Sequence, residues 1–187
     1  NGISLQKSKT GKWHSYLSTF ENVQNSKNHI FTTLCEVSPG IIWAGGYFSG
    51  IYQIDKRTSK TTYFTPALYA REDIRPDKYI RDIRKDSHGY IWTGGYYNLK
   101  RINVQTKDIR LYHGLHSVTA IIEKDDKSMW IGTATGLHLL DKESGKFERI
   151  QLPVESTYIY SLYQTKKGSL YIGTSGSGVL IYDPQTK

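Results

Sequence analysis

The sequence predicts an all-β fold made of four-stranded antiparallel β-propeller blades, present as a partial propeller. Three observations predict it. One motif recurs four times along the 187 residues. Each copy divides into short apolar runs separated by tight turns. No stretch sustains a 3.6-residue apolar period beyond a turn or two, so helices should be nearly absent.

The repeat comes first, because a fixed period of this size decides the architecture. Residues 42–60 read "IWAGGYFSGIYQIDKRTSK" and residues 91–107 read "IWTGGYYNLKRINVQTK". "MWIGTATGLHLLDKESGK" begins at Met129 and "LYIGTSGSGVLIYDPQTK" at Leu170. The anchor aromatics are Trp43, Trp92, Trp130 and Tyr171, spaced by 49, 38 and 41 residues. Asp55, Asn103, Asp141 and Asp183 follow them by 12, 11, 11 and 12 residues. Gly40, Gly89 and Gly168 each stand three residues before an anchor, where the third copy has Lys127.

The third copy shows the elements in order. "SVTAIIEK" is a β-branched run, "DDKS" a turn, "MWIGT" a second strand and "AT" with Gly136 a second turn. "LHLL" is a third strand, "DKESGK" a third turn and "FERI" a fourth strand. Four short strands per copy is the signature of a propeller blade. In the first strands Phe31, Ile80, Val118 and Ile159 align, and so do Leu34, Ile83, Ile121 and Leu162. Between them fall the short residues Thr33, Asp82, Ala120 and Ser161, suited to the crowded region near a propeller axis. The anchor aromatic offers a large flat surface for packing blade on blade. The glycine after it permits close backbone approach. The Asp or Asn after the third strand can accept hydrogen bonds from turn N–H groups.

Residues 2–16, "GISLQKSKTGKWHSY", match 136–150, "GLHLLDKESGKFERI", without a gap. The expected organisation is one partial propeller over 1–187. It comprises the end of a preceding blade at 2–16, blades at 28–65, 79–113 and 117–150, and an incomplete blade at 157–187. Asn1 is not a natural start, and the incomplete blades suggest raw sheet edges that self-association would cover.

The composition suits one β-rich domain: 37% apolar, 13% aromatic, with 15 tyrosines. The net charge is +8, but acids and bases alternate in "KRTSK", "REDIRPDK" and "EKDDK". With no block of five like charges, these read as solvated turns rather than a nucleic-acid surface. The single cysteine, Cys35, cannot form an internal disulfide and reads as a buried, inert thiol. No apolar run approaches the about 18 residues of a membrane span, so attachment to a membrane would rest on other parts of a longer chain.

The order apolar-x-x-apolar, acidic turn, Gly, Leu/Ile-Trp-Ile-Gly-Thr, Gly-Leu, Asp, Thr-Gly-Lys, aromatic resembles the two-component regulator propeller repeat. "SVTAIIEKDDKSMWIGTATGLHLLDKESGKFERI" and "YIYSLYQTKKGSLYIGTSGSGVLIYDPQTK" carry it best. Gly-Gly replaces Gly-Thr at 45–46 and 94–95, and "NLKRIN" lacks the glycine that precedes the third strand elsewhere. The resemblance implies the periplasmic sensor region of a hybrid histidine kinase of an inner-membrane receptor, non-catalytic in itself and responsive to glycan fragments. It also implies two seven-bladed propellers and a small β-sandwich before the membrane helix, with kinase, receiver and DNA-binding parts beyond. The alternatives are a propeller enzyme acting on polysaccharide, lyase or hydrolase, and a protein-interaction scaffold.

No catalytic, metal or cofactor set is nominated. "HGLH" at 113–116 lies in a loop, without the helical spacing of a zinc pair. "GTSGSG" at 173–178 lacks the Lys-Ser/Thr ending of a phosphate loop and aligns with the repeat's own turn. A ligand face follows from topology instead. The blade connections and the second-to-third turns share one end of the blades. That end collects Tyr47 and Phe48, then Tyr96, Tyr97 and Asn98, beside an expanded connection at 65–79. Arg81 joins them where the other copies carry Thr32, Thr119 and Tyr160. Aromatic faces with polar groups at their edges suit sugar rings, so an oligosaccharide is the expected partner.

Overall fold

A computed structural model of the chain describes residues 30–64, 78–154 and 157–183, and the backbone of 3–6 and 13–16. The described residues form strands, turns and bends, with no helix among them. None is therefore long and apolar enough to cross a membrane. The chain divides into two compact units, residues 1–80 and 81–187.

The first unit contains a hairpin of β1 (Ile3–Gln6) and β2 (Trp13–Tyr16), paired from Ile3↔Tyr16 to Gln6↔Trp13. It also contains the sheet β3 (Ile30–Ser38), β4 (Ile41–Tyr47), β5 (Gly50–Asp55) and β6 (Lys60–Tyr63), in that spatial order. Ala44, Tyr52 and Ile54 form its buried cluster, with Phe31 and Ile42 against it. Trp43 is fully buried, donates from Nε1 to Gln53 Oε1 at 3.2 Å, and stacks 4.2 Å from Phe64.

The second unit holds three sheets. The first is β7 (Ile80–Lys85), β8 (Ile91–Gly95), β9 (Leu99–Ile102) and β10 (Ile109–Tyr112). The next is β11 (Val118–Glu123), β12 (Ser128–Thr133), β13 (Gly136–Asp141) and β14 (Phe147–Ile150). The last is three-stranded: β15 (Ile159–Gln164), β16 (Leu170–Thr174) and β17 (Val179–Tyr182). Each sheet is a meander whose sequence neighbours are its spatial neighbours, as a propeller blade requires.

The anchors do what their flat surface implies. Trp92 lies in one core with Val118, Ile121 and Met129 of the next sheet. Trp130 repeats this with Ile159, Leu170 and Ile172 of the sheet after. Burial of such side chains contributes about 1.5–3 kcal/mol each. The glycine two residues past the anchor lets the sheets approach. A Cβ on Gly132 would stand 2.7 Å from Ile159 Cγ2, and one on Gly94 2.4 Å from Val118 Cγ1.

The first strands carry a feature the alignment does not display. The ladder shifts register between Phe31 and Thr33, between Val118 and Ala120, and between Ile159 and Ser161. A bulge therefore recurs at Thr32, Thr119 and Tyr160, re-aiming those side chains. Thr32 Oγ1 donates to Ile80 O at 3.0 Å, and Thr119 Oγ1 to Ile159 O at 2.5 Å. Within the second unit the Thr119 hydroxyl thus ties β11 to the start of β15.

Cys35 departs from expectation. It is half-buried on β3 rather than buried, because that face of the strand alternates with exposed Leu34 and Glu36. Most of the expanded connection, residues 65–77, lies outside the described residues, as do the turn of the first hairpin and the segment 17–29.

Candidate functional site

The aromatic turns are built by repeat geometry. In the first unit the β4–β5 turn carries Tyr47 and Phe48. Phe48 is 59% exposed and has φ +58°, a conformation uncommon for an aromatic residue. Its ring lies 4.8 Å from that of Tyr79, and Tyr47 packs edge-on to the same ring at 6.3 Å. Ser49 Oγ bonds Tyr47 O at 2.8 Å and closes the turn. The aromatic pair thus packs on the end of the expanded connection and still presents the Phe48 ring to solvent.

In the second unit Tyr96, Tyr97 and Asn98 form the β8–β9 turn. Tyr96 and Tyr97 are 57% and 37% exposed, with rings perpendicular at 5.0 Å. The connection between sheets holds this turn from behind: Ser117 N donates to Tyr96 O at 3.0 Å, and His116 Nδ1 lies 2.7 Å from Tyr97 O. Asn98 is half-buried. Arg81, at the start of β7, belongs to the same end of that sheet. Its Nη1 donates to Tyr158 Oη at 2.6 Å, and the Tyr158 ring lies 4.7 Å from that of Tyr160. Arg81 thus reaches the connection before β15. Tyr158, Tyr160 and His116 join this end of the unit without having been singled out from sequence. For Tyr160 the sequence carries a signal: the bulge column Thr32, Arg81, Thr119, Tyr160 contains two residues too large for the tether role.

Beside Arg81, Asp82 is buried where the other copies are short and uncharged. It accepts from Ile83 N at 3.0 Å, Ile121 N at 2.8 Å and Arg84 Nε at 3.2 Å. Burial pushes its carboxyl above the ordinary value, against Arg84 and the backbone donors. Asp82 thereby ties β7 to β11 by a carboxylate on a β11 amide, where β11 uses the Thr119 hydroxyl toward β15.

The opposite end of the second unit holds a denser polar arrangement. Asp86, in the β7–β8 turn, accepts from His88 N, Tyr90 N and Trp92 Nε1 at 3.0, 2.9 and 2.8 Å. Lys142, buried in the β13–β14 turn, bonds Glu123 Oε1 and stands 3.9 Å from Asp86 Oδ2. Ser87 N and Oγ also donate to Glu123, each at 2.8 Å. Burial pushes the Glu123 carboxyl up, but Lys142 and Ser87 outweigh it and hold it below its ordinary value. Asp86, His88 and Glu123 bring donor atoms within 4.8 Å of one another, as metal ligands would. The Lys142 ammonium already supplies the positive charge between the two carboxylates, so this donor set does not fit a metal. A repeat signal underlies it: Glu36 and Lys56 occupy the equivalent positions and pair at 2.9 Å in the first unit.

The backbone of the same turn is clamped from β9 and β10. Arg101 Nη1 and Arg110 Nη1 each lie 3.4 Å from Lys142 O, which Tyr112 Oη also bonds at 2.8 Å. Arg110 Nη2 bonds Glu143 O at 2.5 Å. Between this clamp and the neighbouring turns opens a cleft of about 450 Å³.

Residues 153–176 match the family model described as two component regulator propeller. The resemblance read from the repeats is borne out there. No curated protein matches the chain significantly. Among solved structures, it is similar to the extracellular domain of the hybrid two component system BT3049 of B. thetaiotaomicron, at 23% identity and TM-score 0.77, over 98% of this chain and 24% of that one. The extracellular domain of system BT4673 of the same organism aligns at 20% identity and TM-score 0.76, over 100% of this chain and 24% of that one. Virginiamycin B lyase of Staphylococcus aureus aligns at 18% identity and TM-score 0.70, over 100% of this chain and 64% of that one. At these identities the likeness establishes the propeller fold. The chain spans about a quarter of the length of the two extracellular domains.

Proposed function

We propose that this chain is a ligand-sensing propeller segment of an extracytoplasmic two-component receptor, non-catalytic in itself, which binds oligosaccharide through its aromatic turns. The observation that carries the reading is the set of exposed turn aromatics, Phe48, Tyr96 and Tyr97, with half-buried Tyr47 beside Phe48, on repeats of the regulator-propeller kind. The third and fourth copies put only "AT" and "SGS" at this position, so the aromatics are additions to the repeat and lie outside its buried core. Solvent-facing rings give a sugar an apolar surface to stack on. Arg81, Asn98 and His116 offer hydrogen-bonding groups at the same end of the second unit.

The two extracellular domains of similar fold support a place outside the cytoplasm and a sensing role. Anchoring in the inner membrane, a histidine kinase and the phosphorelay to transcription belong to the same proposal and to other parts of a longer protein.

Calorimetric titration of the full chain with a panel of neutral oligosaccharides tests the reading. Tyr97→Ala and Tyr96→Ala should each weaken binding by about 1–2 kcal/mol, the scale of one aromatic contact. Melting temperature should stay near that of the parent, because neither ring is in the core. Unchanged affinity in both variants, or turnover of the saccharide during the titration, would defeat it.

A further inference from the structure

We propose that the cleft between the first and second sheets of the 81–187 unit, at the end opposite its aromatic turn, is a second binding site. It would take a small polyhydroxylated monocarboxylate held by Arg101 and Arg110.

The argument begins with the two arginines. Arg101 and Arg110 face each other directly across the β9–β10 ladder. Like charges placed opposite on one sheet repel, by several tenths of a kcal/mol to about 1 kcal/mol. Such a pair normally recruits carboxylates, yet no carboxylate among the described residues pairs with either guanidinium. Their shared contact is a neutral carbonyl, Lys142 O, at the long distance of 3.4 Å from each Nη1. Among the described residues, most of their N–H donors have no acceptor. Both groups are nevertheless held in place. Arg101 lies 4.5 Å over the Tyr90 ring and Arg110 5.1 Å over Tyr112. These are half-buried, pre-positioned donors, the arrangement that recognises an oxyanion in forked geometry.

The cleft's other walls select among oxyanions. Its volume, about 450 Å³, is that of a small-ligand site. Lys127 adds one cation, while Asp126, Asp141 and Glu143 line the same space. Lys142 is neutralised by Glu123 and Asp86. The cleft therefore carries no excess of positive charge, and a dianion such as phosphate would meet three carboxylates. A single carboxylate on the arginine pair avoids that cost. Asp126 and Glu143, exposed and without side-chain hydrogen bonds among the described residues, can accept from hydroxyl groups on the rest of such a ligand. Asp141 is committed to its own turn through Glu143 N and Ser144 N. This site does not depend on the saccharide reading of the aromatic turns.

Ligand-observed NMR and calorimetry on the full chain, with D-gluconate, acetate, D-glucose and inorganic phosphate as probes, test the proposal. Gluconate should bind saturably and about ten-fold more tightly than acetate, glucose or phosphate. Arg101→Gln should weaken gluconate about ten-fold, the loss of one charge-assisted pair. Arg110 also bonds the turn, so its removal risks the fold. Lys127→Gln, an exposed side chain that makes no hydrogen bond, keeps the test independent of stability and should weaken binding several-fold. Tyr97→Ala should leave gluconate binding unchanged. Absence of saturable gluconate binding, equal binding of glucose or tighter binding of phosphate would overturn the assignment. So would affinity indifferent to both Arg101→Gln and Lys127→Gln.

Discussion

At the scale of single residues the repeat explains most positions, and the exceptions are informative. Asp55, Asn103 and Asp141 accept turn amides: Arg57 N at 2.8 Å, Gln105 N at 3.0 Å and Ser144 N at 2.7 Å. That role was legible from the residue type and its fixed offset, because a short side-chain acceptor after a strand has few other uses. His138 is different. It is buried on β13 where the fourth repeat has Leu180, and among the described residues its Nδ1 has no hydrogen-bond partner. Burial, with the Arg149 charge close by, holds its pKa below the ordinary histidine value. The folded chain therefore keeps the ring neutral while the unfolded chain protonates near pH 6.5. Stability from this group is fully present above that pH and is lost as pH falls through the unfolded value toward the folded one. Urea denaturation from pH 7.5 to 5 should show this decline, and His138→Leu should flatten it. An identical slope in the variant would assign the decline to other groups.

At the scale of elements, what joins one sheet to the next is chemically specific. Apolar packing around Trp92 and Trp130 joins the sheets, and polar ties fix the register: the bulge hydroxyl of Thr119, the carboxylate of Asp82, and the Asp86–Lys142–Glu123 cluster. The cluster places one buried ammonium between carboxylates from two sheets. Removing one member of a buried ion set leaves the others uncompensated, at a cost of about 3–5 kcal/mol. Lys142→Met, which keeps the volume, should therefore lower unfolding stability by about 3 kcal/mol. The acid limb follows by linkage. Glu123, held below its ordinary pKa, stabilises above the unfolded carboxylate value and loses that contribution as pH falls; the variant should lose less over the same range. A change under about 1 kcal/mol in chemical denaturation would mean that the cluster is merely tolerated. Strands and turns could be read from periodicity and turn chemistry, since both are local. The cluster and the arginine pair could not. Arg101 and Arg110 become neighbours only once the β9–β10 register is known, and Lys142 meets Asp86 only once two sheets pack. The expanded connection at 65–79 explained the long repeat spacing, and the ring contacts of Tyr79 with Tyr47 and Phe48 give its last residue a packing role.

At the scale of the whole molecule, each unit leaves an apolar sheet face uncovered. In the second unit Trp92 and Trp130 are covered by the first strand of the following sheet, whereas their counterpart Tyr171 is 38% exposed. Tyr163, Val179 and Ile181 lie exposed in the same last sheet at 65%, 66% and 62%. In the first unit the leading strand β3 exposes Ile30 and Leu34, at 55% and 54%. Leu34 is the counterpart of Ile121, which is buried in the Trp92 core. The two faces are thus the two sides of the blade-to-blade contact already made twice inside the second unit. Contiguous exposed apolar surface of this kind marks an interaction site more often than free surface. We propose that β3 of one copy seats against β15–β17 of another, through contacts of the Trp92 and Trp130 kind. The contact is heterologous, so it builds rings or open chains rather than two-fold dimers. Analytical ultracentrifugation over a hundred-fold concentration range should show self-association that weakens in Tyr163→Asp and in Leu34→Asp. Both side chains are already exposed, so each variant should remain folded. Mixing the two variants discriminates further: each retains one intact face, so a heterologous contact predicts recovery of a one-to-one complex. A monomer at every concentration, or association untouched by either substitution, would refute the contact.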